Sequence, residues 1–353
     1  MKFKRYLVVL PGIILAFVLY TLSQGFNNIL GIELLGYEKS PISTAMIAIL
    51  LGMFFGNVFQ IRESFLRGLD FTQKYILKLG IICLGIQLKP FEFLEFGAIA
   101  IPLIIICIIS VLIVIKLLIK KLKIPTRMAY LISIGSTVCG TTAIMATAPV
   151  IGAKKNEVSY AIANITLFGI LSMLIYPYFA NFYFESEPLL IGLFLGTSIH
   201  ETAQVAGSGM IYSEQYQNPS VLDISTVIKL VRNTMMVIVI PLLAFLARKD
   251  SNQNNSIKIA SIFPYFIIGF LVFGMIRTVG DQFEYQIGSE NWNSFIYFIK
   301  NFAEILLVIA MSAIGYNTKI NKFKNLGLKP FYLGFIAALS VGVVSFSVIY
   351  FLV

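Results

Sequence analysis

Two short stretches concentrate the groups that could do chemistry. "STVCGTTAIMATAP" (Ser136 to Pro149) gathers hydroxyls, a thiol and a Gly-Thr-Thr run, and "GTSIHETAQVAGSG" (Gly196 to Gly209) adds the only histidine, a carboxylate and an amide. Both sit inside apolar sequence, where helix breakers need a reason. A helix that restarts after a break turns free N–H groups and the positive end of its dipole towards the gap, which favours an anion. Gly140 lets the backbone turn and approach closely, and the hydroxyls add donors. The candidate substrate-binding residues are therefore Ser136, Cys139, Gly140, Thr141, Thr142, His200, Glu201, Thr202 and Gln204. The same small residues would also suit plain helix packing.

Ionisable side chains far from any loop add to this set: Glu201, Lys229, Arg232, Arg277 and Glu304. Charges at membrane depth are costly and mark function by default. Three cations stand against two carboxylates, a surplus that an anionic ligand would balance. Lys229 and Arg232, three apart on "TVIKLVRNTM", share a helix face, and Asn233 adjoins them. A forked guanidinium suits a carboxylate, sulfonate or sulfate, and an ammonium acts as a point charge. Pairing of the two cations with Glu201 and Glu304 is the alternative. Arg277 lies near a helix end, where it can snorkel to the interface. His200 beside Glu201 could carry a coupling proton or be a hydrogen-bonded structural group, and Glu304 is a coupling or structural charge. Asn57, Gln87, Asn164 and Asn317 are interhelical hydrogen-bond candidates. Cys139 as nucleophile with His200 as base is a second, enzymatic reading, and a gated anion channel a third. No metal site or cofactor motif is read.

The elements that must position these residues are membrane helices. Of 353 residues, 58% are hydrophobic and 12% charged, and mean hydropathy is +0.86. Apolar runs long enough to cross ~30 Å of hydrocarbon recur from end to end. The net charge of +10 lies mostly in loops on one side, so it orients the chain and does not imply nucleic acid. The three cysteines fall in apolar segments, which excludes a disulfide framework. The reading is an all-α polytopic membrane protein forming a single transporter domain over 1–353. About eleven segments are expected: 6–22, 41–59, 75–90, 98–118, 128–152, 157–180, 188–208, 222–247, 258–280, 294–316 and 331–353. The basic loops, including the polar loop 248–258 and "RESFLRGLDFTQK" (Arg62 to Lys74), are expected in the cytoplasm with the N-terminus, and the C-terminus outside. Loop charges fit best with nine full spans and two interrupted segments, broken at Cys139–Thr142 and Ile199–Thr202, that enter from opposite faces.

Internal similarity supports an inverted design, with related elements in 75–180 and 188–353. Gly85, Lys89, Phe93 and Gly97 align without a gap on Gly315, Lys319, Phe323 and Gly327. Gly135 to Pro177 pairs with Gly196 to Pro241, each copy a glycine followed by hydroxyls, a central break and a helix reaching a proline. Inverted repeats with broken helices are a signature of secondary transporters.

At "STVCGTTAIMATAPVIGAKKNEVSYAI" and "GTSIHETAQVAGSG" the chain resembles the bacterial plasma-membrane family named for sulfate export, over nearly its whole length. That family in turn is similar to the superfamily of sodium–proton antiporters and bile-acid symporters, although the antiporters' paired carboxylates have no clear counterpart here. The resemblance implies an elevator-like motion of a core against a scaffold and a site at Cys139, Gly140, Thr141, Thr142, His200, Glu201 and Gln204. The partners expected are a small anion, the lipid bilayer and a coupling H+ or Na+, with a homodimer as the assembly allowed for.

Overall fold

Runs of Leu, Ile, Val and Phe, punctuated by Pro and Ser at helix starts, build a chain whose regular elements are all helical among the described residues. The computed structural model describes residues 8–29, 43–87, 90–248, 265–321 and 328–352. In order, the helices are α1 (Leu10–Asn28), α2 (Thr44–Val58), α3 (Glu63–Phe71), α4 (Leu77–Leu84), α5 (Pro90–Leu122), α6 (Thr126–Ile134), α7 (Gly140–Thr147) and α8 (Lys155–Tyr183). There follow α9 (Pro188–Ser198), α10 (Thr202–Tyr216), α11 (Ser220–Thr234), α12 (Met236–Arg248), α13 (Phe266–Gln282), α14 (Glu284–Ile287), α15 (Ser289–Asn317) and α16 (Leu328–Leu352). Local chemistry sets several starts. Ser43 caps α2 by accepting from the Met46 N–H at 3.1 Å, and prolines open α1 and α9.

Among the described residues, seven stretches are long and apolar enough to cross a membrane: Leu10–Asn28, Leu94–Ile119, Thr126–Thr147, Lys155–Tyr183, Ser220–Leu243, Ser289–Asn317 and Leu328–Phe351. α2 and α9 are apolar but shorter. Seven is fewer than the eleven segments expected from hydropathy. Segment 75–90 is broken up into α4 and a 3-10 turn at Gly85–Gln87. "RESFLRGLDFTQK", expected as a connector, is instead mostly α3 followed by a π turn at Thr72–Ile76. The basic start, the acidic stretch 31–39, most of the polar loop 248–258, Lys89, Phe323 and Gly327 lie outside the described residues.

The chain divides into two compact units. Unit one comprises Met1–Leu94, Gly209–Asp223 and Tyr265–Ile320; unit two comprises Glu95–Ser208, Ile224–Pro264 and Asn321–Val353. Within unit one, α15 packs along α2 and α4, and α1 along α3. Glycines permit this approach. A Cβ at Gly52 or Gly315 would intrude on the backbone of the facing helix, so the α2–α15 pair depends on backbones meeting directly, as small residues allow in membranes. Within unit two, α16 packs on α8 and α9, and α6 and α7 pack on α8. Ile132, Ile144, Ile165 and Val341 form part of that buried apolar core.

The α2–α15 contact makes a direct prediction. Gly315→Leu should destabilise the purified protein by about 1–3 kcal/mol through overpacking, read as a lower melting temperature in detergent. Gly25→Leu, at a position where an added Cβ meets nothing within 4 Å, should leave it unchanged.

Candidate substrate site at two helix breaks

Both candidate stretches are interrupted helices of unit two. α6 runs into a π turn at Gly135–Cys139. The chain then leaves helical geometry at Cys139 (φ −141°, ψ 45°) and Gly140 (φ 49°, ψ −127°) before α7 restarts. α9 stops at Ser198, Ile199 is extended (φ −85°, ψ 143°), and α10 restarts at Thr202. Gly140 is required twice over: its φ is in the left-handed region, and a Cβ there would collide with the Glu201 side chain. Each break creates one carbonyl end and one amide end.

The carbonyl ends are closed by α11. Lys229, fully buried, donates from Nζ to Val138 O and Ile199 O, both at 2.9 Å, and to His200 O. Arg232 is equally buried. Its Nε donates to Thr137 O (2.6 Å), its Nη1 to Thr197 O (2.6 Å), Ile199 O (2.9 Å) and Gly196 O (3.5 Å), and its Nη2 to Ser136 O. A lysine has three donors and an arginine five in a fork, so two side chains one helical turn apart satisfy the carbonyls of both breaks at once. The positive charges also meet the negative ends of the two helix dipoles.

The amide ends are closed differently. Glu201 reaches across to the other break, where its Oε1 accepts from the Thr141 N–H at 3.0 Å and from the Thr141 hydroxyl. Gln204 Oε1 accepts from the Glu201 N–H at 3.1 Å, one half of a capping box for α10, and Gln204 Nε2 donates to Thr166 O at 3.5 Å. Asn233 Nδ2 donates to Thr202 Oγ1 at 3.0 Å, and that oxygen lies 3.5 Å from Cys139 Sγ. His200 is fully buried beside the Ser198 backbone; Asn233 Oδ1 and Ser136 Oγ meet no hydrogen-bond partner among the described residues. Thr141 and Glu201 are partly exposed and Thr142 is exposed. The amide end is thus reachable and the carbonyl end sealed.

The structure therefore gathers Ser136, Cys139, Gly140, Thr141, His200, Glu201, Thr202, Gln204, Lys229, Arg232 and Asn233 around the breaks, with Thr142 at the exposed rim. Two placements differ from the sequence expectation. Lys229 and Arg232 spend their donors on carbonyls, neither facing the rim nor pairing with Glu201 and Glu304, because the broken backbone offers closer acceptors. Ser136 contributes its carbonyl and not its hydroxyl. Glu304 and Arg277 belong to unit one. Arg277 pairs with Asp281 at 2.8 Å. Glu304 lines a cavity of about 540 Å³ together with Tyr20, Gln24, Thr44 and Glu214. Glu214 went unnoticed in the sequence because "SEQYQ" reads as a loop; it is in the last turns of α10, accepting from the Thr44 N–H at 2.8 Å and from Asn27 Nδ2 at 3.3 Å. No hydrogen bond joins Cys139 to His200 among the described residues.

Residues 11–334 match the family described as Conserved hypothetical protein 698, a range that holds both breaks and both α11 cations. A UPF0324 membrane protein of Streptococcus agalactiae serotype V is 32% identical over 339 residues, covering 96% of either chain. One from Clostridium tetani is 32% identical over 359 residues, covering 98% of this chain and 97% of its own. Another, from Fusobacterium nucleatum, is 32% identical over 306 residues, covering 85% and 88%. The chain belongs to the UPF0324 membrane protein family.

In this UPF0324 protein the buried guanidinium should dominate local stability. Arg232→Met leaves the carbonyls of Ser136, Thr137 and Thr197 without it, a change expected to cost about 1–3 kcal/mol for each carbonyl left unpaired. Arg232→Lys, which cannot fork across both breaks, should lose part of that. Arg277→Met removes a pair about a quarter exposed and should cost below ~1 kcal/mol. Denaturant unfolding of the purified variants ranks the three.

Proposed function

We propose that the chain is a secondary transporter that carries a small anion, such as sulfate, a sulfonate or a small organic acid, across the bacterial plasma membrane by alternating access. One observation carries this reading. Thr141 directs an amide N–H and a hydroxyl, at a helix N-terminus, onto a carboxylate oxygen at a partly exposed helix break. A donor set that holds a side-chain carboxylate has the chemistry to hold a free one, or a sulfonate. Irregular backbone at membrane depth is tolerated only inside protein or beside a watery cavity; the first break falls within Thr126–Thr147, a stretch long and apolar enough to cross a bilayer, and the second follows the shorter apolar helix Pro188–Ser198.

Two further features support transport. Both broken segments follow one order of helix, break and helix, and a helix with an internal proline comes later in each, α8 with Pro177 directly and α12 with Pro241 after α11. This is the order expected of an inverted repeat whose copies enter from opposite faces. The sealed carbonyl ends also leave Thr141, Thr142 and Glu201 as the groups a ligand meets first.

Sulfate, ethanesulfonate and malate, tested in turn, provide the check. At least one should raise the melting temperature of the purified protein, since a ligand bound to the folded state stabilises it, and should exchange across proteoliposomes. Thr141→Val, which removes one donor to a charged group, should weaken that anion roughly 10-fold or more. Absence of both stabilisation and flux with all three anions contradicts the proposal.

A further inference from the structure

The donors assigned to the substrate are occupied by Glu201. We propose that Glu201 is a tethered competitor for the anion, and that each anion seated at the start of α7 brings one proton, which the displaced Glu201 carboxylate takes up. This rests on the anion reading above and adds its coupling. In balance, ionised Glu201 on Thr141 plus an anion plus H+ becomes the anion on Thr141 plus a neutral Glu201 carboxyl; one O–H bond forms and no other covalent bond changes.

Four observations lead here. First, both Thr141 donors, the N–H and the hydroxyl, converge on one Glu201 oxygen, so an anion seated on them displaces it. Second, Glu201 is the removable member of the constellation. It is partly exposed and packs over Gly140, which has no side chain to trap it, whereas Lys229 and Arg232 are fully buried.

Third, among the described residues a displaced carboxylate finds no cation with a hydrogen-bond donor to spare. The charged and titratable groups around it are Lys229 and Arg232 from α11, Cys139 from the π turn and His200 from its own break. Lys229 has all three donors on carbonyls, and Arg232 donates to five carbonyls. From α8 the neighbour is the Thr166 carbonyl, already held by Gln204. An ionised Glu201 beside a bound anion would then be a like-charge pair, which protonation of one member relieves. Fourth, the break holds a fully buried polar atom with no hydrogen-bond partner among the described residues, Asn233 Oδ1. Asn233 is fixed there by its bond to Thr202, the residue after Glu201, and an amide oxygen is the acceptor a neutral carboxyl needs.

Ethanesulfonate tests this cleanly, because as a permanently ionised monoanion it takes up no proton of its own. Full-length protein in weakly buffered detergent should take up about one proton per ethanesulfonate bound, followed with a pH indicator. Affinity should accordingly fall about tenfold for each pH unit over which that uptake holds. Glu201→Gln should bind ethanesulfonate more tightly at alkaline pH, with no proton uptake and a flat pH dependence; this separates Glu201 from His200. Binding to the wild type without proton uptake overturns the coupling and leaves the anion reading standing, as does uptake that persists in Glu201→Gln. If the variant does not fold, the wild-type stoichiometry decides alone. If sulfate, ethanesulfonate and malate stabilise neither protein, both the coupling and the anion reading fall.

Discussion

Lys229 and Arg232 hold the carbonyls of two broken helices, and the rest of the site depends on that interaction. Backbone polar groups left unpaired in an apolar interior cost several kcal/mol each, so a helix cannot simply be opened within such a protein. Here a single face of α11 supplies the missing donors to both breaks, with Ile199 O shared between the two cations. The cations in turn are tolerable only because the carbonyls are there; a buried ammonium or guanidinium without acceptors would be more costly still. Breaks and charges are mutually conditional, which explains why an apolar protein keeps both.

The two kinds of helix end are treated unequally. Carbonyl ends face Lys229 and Arg232, which are shut away from solvent. The α7 amide end faces Glu201, a carboxylate on a partly exposed rim. A donor sealed in place on carbonyls is scaffolding, and a single carboxylate at a partly exposed rim is exchangeable. That asymmetry moves the functional weight from Lys229 and Arg232, the obvious anion ligands by residue type, to Thr141 and Glu201.

Much of this was legible in the sequence, for physical reasons. Gly140 among hydroxyls, and Ile199–Glu201 ahead of a polar restart, mark places where a helix cannot continue cheaply, and the interruptions fall there. Spacing put Lys229 and Arg232 on one face, but three-residue spacing says only that two side chains point the same way, not what they meet. Their targets are carbonyls, which every residue has and no sequence displays. Glu201 reaching Thr141 is equally invisible, being a long-range contact between two breaks. Of the eleven segments, seven stretches among the described residues are long and apolar enough to cross a membrane, and in residues 75–90 α4 tightens into a 3-10 turn at Gly85–Gln87. α3 was missed because its charged residues read as a connector, whereas Gly68 and Leu69 are buried and a Cβ at Gly68 would meet the backbone of α1 at Gly12.

The most direct test of the account is to locate a heavy anion. Crystals of the full-length protein soaked in selenate, measured for selenium anomalous scattering, should give a peak within hydrogen-bond distance of Thr141 N and Oγ1, with Glu201 swung away and both Lys229 and Arg232 still on the carbonyls of the two breaks. A peak elsewhere with Glu201 still seated on Thr141, or two helices running unbroken through Gly140 and His200, would contradict it.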